Sequence, residues 1–270
     1  MKFNVLGPLS VIDDCGESIT IGRAKTRILL ALLLTHVNRT VSREELIGAL
    51  WADLRIQSAR ANLKTYIWNL RRALSPADPS QSPVKTVSSG YSVHLTADSV
   101  DMLVFERLVS EAREARRRGD NEIALAKLDT AVGLWRGMPF EDIPLTTDAL
   151  VATTQSLQEH RLLAREELIG LRIELGDDAQ VIGELQGLVV EHPMRERLWQ
   201  HLMTALYRAG RQADALDAYQ RLRRCLLEEL GADPSRPLQD LQHQILNADP
   251  RIDRLTDERV QLADADAATT

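Results

Sequence analysis

The chain has 270 residues, 44% of them hydrophobic and 27% charged, and its net charge of −6 averages two unlike parts. Residues 1–97 carry 12 Lys and Arg against 7 Asp and Glu, a net of +5, and the remainder carries 21 against 32, a net of −11; a basic segment joined to an acidic one suggests a polyanion partner for the first part only. The longest apolar run, Ile28 to Leu34, is far too short to span a bilayer, the opening MKFNVLGPLS lacks the pattern of a secretory signal, and Cys15 and Cys225 fall in different expected domains, which suits a reducing cytoplasm better than a disulfide framework.

Residues 1–22 alternate and turn. Phe3, Val5 and Leu9 are apolar, DDCGE is a turn cluster and SITIG a short β-branched run, so two or three short antiparallel strands are expected. From Lys25 to His36 the apolar residues Ile28, Leu29, Leu32 and Leu33 recur at helical spacing. Ser42 followed by Glu45 reads as a capping box that opens a second helix, running to about Trp51 with Leu46, Ile47 and Leu50 inward. A third helix is expected from Ser58 to Leu74, where SPADPS breaks it. Two strand-like runs, Val84–Val87 and Tyr91–Leu95, are joined by Ser88-Ser89-Gly90 as a tight hairpin. Strands, three helices and a hairpin in that order describe a winged helix-turn-helix, a recurring DNA-reading design.

From Asp101 to about Asn247 almost everything reads as helix. Gly119, Gly176 and Gly210 each sit between two helices, and the last two are 34 residues apart, the period of tetratricopeptide-type helix pairs. An irregular insert, GMPFEDIPLTTDA, breaks the earlier register. Trp135, Trp199, Tyr207 and Tyr219 read as helix-packing residues. The expected fold class is therefore mainly α: a winged helix over 1–97, tetratricopeptide-like helical repeats over 98–248, and an acidic tail over 249–270 that is expected to be disordered.

The third helix carries the functional argument. At 100° per residue, Ala59, Leu63, Tyr66, Ile67, Leu70 and Leu74 form one buried stripe. The opposite face carries Ala61, Lys64, Thr65, Trp68 and Arg72, flanked by Arg60, Asn69 and Arg71, and it holds no acidic residue. An ordinary solvated face would mix signs. Arg and Lys suit phosphate oxygens or guanine edges, and Thr65 can meet a base with its hydroxyl or its methyl. Trp68 is directed away from the core, either for apolar contact with a base methyl or sugar, or to pack under the wing or a loop. Arg71 and Arg72 suit phosphate contact, and also favour the helix macrodipole. In the wing, Ser88 and Ser89 suit backbone contacts or simple turn chemistry, and Lys85 suits a further phosphate contact.

No enzyme signature accompanies this. The six histidines are scattered without H-E-x-x-H, two distant cysteines offer no zinc spacing, and neither a G-x-S-x-G elbow nor a phosphate-binding G-x-x-x-x-G-K-[ST] loop occurs. Glu44-Glu45 and Asp13-Asp14 read as helix-start and turn residues. No catalytic residue, metal or cofactor is expected.

VSREELIGALW, SARANLKTYIWNLRRAL and VKTVSSGYSV resemble an OmpR-type winged helix. VDMLVFERLVSEA, AVGLWRGMPF, EHPMRERLWQHLMTALYRAGRQADALDAYQRLRRCLLEELGADPS and LQDLQHQIL resemble a bacterial transcriptional activation domain. Together, over about residues 1–247, the chain resembles the Streptomyces antibiotic regulatory protein family. The resemblance implies a cytoplasmic, nucleoid-associated activator of secondary-metabolite gene clusters that binds promoter direct repeats, self-associates on DNA and recruits RNA polymerase. By position it puts DNA contacts on Lys64, Thr65, Trp68, Asn69 and Arg71, and places Arg43 and Trp51 near the DNA backbone. Asn69 stands where related winged helices often carry Arg. A repressor of the same architecture, or a helical-repeat adaptor whose first domain binds protein, remains the alternative reading.

Overall fold

The computed structural model describes residues 1–51 and 59–252. The expected start of the third helix at Ser58, the loop before it, and most of the acidic tail lie outside the described residues. The chain divides into two compact units, Met1–Ala164 and Arg165–Thr270.

The first unit opens with an antiparallel pair, β1 (Lys2–Asn4) and β2 (Ser10–Ile12), registered Phe3 to Val11. SITIG supplies only a single bridge, Ile12 to Ser18. Helix α1 (Ala24–Thr35) is buried at every position from Ile28 to Leu34, so it forms the centre of the winged-helix part, the reading head of the expected design. A short strand unforeseen in the sequence, β3 (Thr40–Ser42), precedes α2 (Arg43–Trp51). Three residues are too few for alternation to identify a strand; β3 exists because it pairs with β5. Ser42 still caps α2, its hydroxyl oxygen accepting from the Glu45 amide at 3.0 Å. Helix α3 (Ala59–Leu74) buries Ala59, Leu63, Ile67, Leu70 and Leu74, with Tyr66 half-buried, along the stripe that the helical wheel draws. The wing, β4 (Val84–Thr86) and β5 (Gly90–Val93), joins β3 in a three-stranded antiparallel sheet of order β3-β5-β4.

Helices α4 (Asp101–Arg117) and α5 (Asn121–Gly133) pack as a pair, and α6 begins at Asp148. Trp135 is buried edge-on against Phe105, with ring centroids 5.3 Å apart. The insert between α5 and α6 docks on the N-terminal segment: Arg136 and Phe140 donate their amides to the carbonyls of Leu6 and Val5, at 2.8 and 3.0 Å. Phe140 is 1% exposed. Beside this contact lies Asp101, almost fully buried, whose carboxylate accepts from the amides of Val5 (2.8 Å) and Leu6 (3.1 Å) and from the Arg136 guanidinium (3.0 Å).

In the second unit α7 (Asp178–Glu191), α8 (Glu196–Arg208), α9 (Gln212–Leu230) and α10 (Arg236–Leu246) pack in succession. The indole of Trp199 is buried and donates to the Pro193 carbonyl at 2.9 Å. Three turns share one construction. Gly119, Gly176 and Gly210 adopt φ of 84°, 86° and 73°. In each, the amide just after the glycine reaches back five residues, Asp120 to Ala115, Asp177 to Arg172 and Arg211 to Leu206. This is a Schellman closure, in which glycine takes the left-handed position without a Cβ penalty. The residues after α10 do not leave the fold at once: Ile252 is buried, and its carbonyl accepts from Arg208 at 2.8 Å.

Asp101 yields a test. Asp101→Asn keeps the shape but replaces one acceptor with a donor facing a buried amide or Arg136. We expect a loss of about 2–4 kcal/mol in urea unfolding, in line with breaking a buried hydrogen-bonded charge pair. Burial, opposed by these hydrogen bonds, holds the Asp101 carboxyl above its ordinary pKa. The stability contributed by this group is therefore full below the usual carboxylate range and declines as pH rises through the raised value. The Asn variant should lose that component of the pH dependence.

Candidate nucleic-acid interface

Helix α3 presents its polar face because its apolar stripe is fully used. Arg60, Ala61, Lys64, Thr65, Trp68, Asn69 and Arg72 are all exposed, and no Asp or Glu occurs anywhere in the helix. Trp68 is 51% exposed, so of its two readings packing under the wing does not occur; the Arg72 guanidinium lies 5.4 Å from its ring centroid. That stacking holds an otherwise loose cation against the helix. Thr65 donates its hydroxyl to the Ala61 carbonyl at 3.2 Å, leaving the oxygen and methyl outward. Arg60 faces Glu44 at 3.6 Å with both side chains more than 70% exposed. Such a pair is weak and readily exchanged. Among the described residues, Lys64 and Arg72 have no carboxylate partner.

The wing stands beside this face, held by two arginines. Arg71 is half-buried and donates to the Val84 carbonyl (2.9 Å) and the Thr86 hydroxyl (2.8 Å), tying α3 to β4. Arg43, at the start of α2, donates to the carbonyls of Ser88 (2.6 Å) and Val87 (3.1 Å), and lies over the Tyr91 ring. Both residues matched expected DNA contacts, and the structure shows each already engaged in shaping the wing. Ser88 and Ser89 are exposed at the turn, which is closed by mutual Val87 and Gly90 backbone hydrogen bonds of 3.0 and 3.2 Å. Lys85 is exposed and donates to the Ser80 carbonyl at 3.3 Å. Trp51 stands apart from this surface: its side chain is 7% exposed, tilted against Tyr66 at 5.9 Å, with the Lys25 ammonium 4.7 Å from its ring centroid. Its size, more than its polarity, is used here, as a wedge between α1, α2 and α3.

Sequence reasoning found the outward face of α3 and missed its setting. It had no signal for Arg43 and Arg71 as internal struts, since their partners, three wing carbonyls and the Thr86 hydroxyl, lie on another element. It also passed over Arg23 and Thr26 at the start of α1. Together with residues of α3 they line a groove of about 580 Å³. Among the described residues no group of His, Cys, Asp or Glu is placed to hold a metal ion, and no helix is long and apolar enough to cross a membrane.

A basic helix beside a braced hairpin, in a chain continuing into paired helices, defines a winged-helix transcriptional regulator. Two family models match in that order: "Transcriptional regulatory protein, C terminal" over residues 16–93 and "Bacterial transcriptional activator domain" over residues 100–246. Regulatory protein DnrI of Streptomyces peucetius is 36% identical over 260 residues, covering 94% of this chain and 95% of DnrI. Regulatory protein AfsR of Streptomyces griseus is 37% identical over 260 residues; the match takes in 96% of this chain but 26% of AfsR. The solved structure of Mycobacterium tuberculosis EmbR in complex with a low affinity phosphopeptide superposes with a TM-score of 0.86 at 32% identity, over 97% of this chain and 70% of that one. The chain belongs to the Streptomyces antibiotic regulatory protein family. It is a DNA-binding transcriptional regulator and not an enzyme.

Gly90 offers a test of the wing. A Cβ there would collide with the Val41 carbonyl oxygen, since β3 lies directly against it. Gly90→Ala should cost about 1–3 kcal/mol of stability, as overpacking does. At temperatures where the variant is still folded, it should weaken duplex binding in a fluorescence anisotropy titration.

Proposed function

We propose that the chain activates a secondary-metabolite gene cluster by binding promoter direct repeats through residues 1–97 and engaging RNA polymerase through the helical residues 98–248. Helix α3 enters the major groove. Lys64, Thr65, Trp68 and Asn69 meet base edges and their sugars, Arg60 and Arg72 meet phosphates, and Ser88, Ser89 and Lys85 follow the adjacent minor groove. Arg43 and Arg71 act chiefly by fixing the wing. Two copies sit head to tail with centres about 10–10.5 bp apart, one helical turn. The site of action is the cytoplasmic nucleoid.

The observation that carries this reading is the acid-free, solvent-facing side of α3 beside a braced wing. It suits a polyanion and little else, because a protein partner of mixed charge would leave these cations unmatched. Membership of the Streptomyces antibiotic regulatory protein family supports an antibiotic pathway as the target.

Lys64→Ala and Trp68→Ala should each lower operator affinity by about 1–3 kcal/mol and relax sequence preference, whereas Lys85→Ala should weaken all duplexes alike and flatten the salt dependence. Gel-shift titrations on fragments recovered by genome-wide mapping of bound DNA measure both. Equal binding to promoter and random duplex by the unaltered protein would remove the reading, and a promoter–reporter assay in which expression falls would make the protein a repressor.

A further inference from the structure

On a 100° wheel the outward side of α3 has two flanks. One, through Arg60, Lys64 and Arg71, faces the wing. The other, through Asn62, Thr65, Asn69 and Arg72, faces the start of α1 across the groove of about 580 Å³. Among the described residues no acid lines that groove.

Its far wall is Arg23 and Thr26. Arg23 is exposed, caps α1 without a side-chain hydrogen bond, and has no carboxylate partner among the described residues. The first turn of α1 contains no acid to offset its dipole. Thr26 is 3% exposed, yet its hydroxyl hydrogen-bonds to nothing among the described residues. It lines the groove, and the residue in front of it is Gly22, where a Cβ would come 3.4 Å from the hydroxyl oxygen. Any larger side chain there would screen it. The side chain is held in the core while its unpartnered hydroxyl opens into a cleft ringed by donors and cations. An anion with several acceptor oxygens would satisfy the hydroxyl, the helix start and both arginines together.

We propose that this groove seats the sugar–phosphate backbone of DNA, on the wall of the major groove away from the wing, with Thr26 and Arg23 as phosphate ligands and Arg72 closing from α3. The placement of the duplex rests on the reading that α3 enters the major groove. The groove and the wing then grip the two walls of one groove, which fixes the depth and tilt of α3 between them. Phosphate contacts carry no sequence information, so this seat sets affinity and register and leaves base choice to α3.

The test uses the full chain, with anisotropy titrations on mapped operator and random duplex over a series of salt concentrations, and thermal unfolding alongside. Thr26→Val is isosteric and removes only the hydroxyl. It should lower affinity about tenfold on both duplexes, with the operator-to-random ratio kept and thermal stability unchanged or raised. Thr26→Ser should bind like the unaltered protein. Arg23→Gln, an exposed change that the fold tolerates, should weaken both duplexes and reduce the slope of log affinity against log salt by about 0.9. The groove is judged by variant against unaltered protein on random duplex, and the α3 reading by operator against random in the unaltered protein, so either can fail alone. Unaltered affinity and slope in both Thr26→Val and Arg23→Gln would overturn the proposal, as would a change in the operator-to-random ratio without uniform weakening.

Discussion

Asp101 is where the reading head is made continuous with the helices that follow it. Two backbone amides, Val5 and Leu6, leave the β1–β2 pair with no sheet partner, and a buried amide left unpaired is costly. The carboxylate at the start of α4 satisfies both. Its charge is in turn met by Arg136 from the insert after α5, itself only half-covered. Desolvation is the larger force on this carboxyl and works against ionisation, so the group is held for the bonds it accepts more than for any net electrostatic gain. Around it the Val5 and Leu6 carbonyls receive the insert's amides, and Arg27 of α1 pairs with Asp142. Three stretches distant in sequence thus converge, and the first compact unit extends well past the wing, to Ala164.

The same economy governs the cations. Arg43 and Arg71 spend their donors on wing carbonyls and the Thr86 hydroxyl and hold the hairpin against α2 and α3, because the planar guanidinium can satisfy two acceptors at fixed geometry. Arg60, Lys64 and Arg72 are left outward, one in a loose pair and one stacked on Trp68. In the helical part arginines mostly face carboxylates, as Arg165 with Glu184 and Arg208 with Asp178 do. The net charges of +5 and −11 therefore differ in kind as well as sign: in the reading head the surplus stands on a surface, and in the helices much of the charge is internally matched.

Much of this was legible beforehand. The period of α3 identified its buried stripe residue by residue, since a long helix between two environments must segregate its side chains. Glycines 119, 176 and 210 marked the helix turns correctly because the left-handed position after a helix is a local requirement. Strand β3, the burial of Trp51 and the wing-side use of Arg43 and Arg71 were not legible, because each depends on a partner supplied by a remote segment. Thr26 is the extreme case: within its own helix it is an unremarkable first-turn threonine, and only α3 across from it makes a cleft of its surroundings.

What the order of amino acids determined alone was periodicity, turn chemistry and charge: helices and hairpin in sequence, an acid-free helix, three like turns, and a family resemblance that the comparisons bear out. What the tertiary structure decided was which of several chemically equal side chains face outward. Arg71 and Arg72 are neighbours with the same guanidinium, and one braces the wing while the other lies exposed on Trp68. The 100° between successive residues puts them on different sides of the helix, but local sequence cannot assign their roles, because those depend on what the rest of the chain has packed on either side.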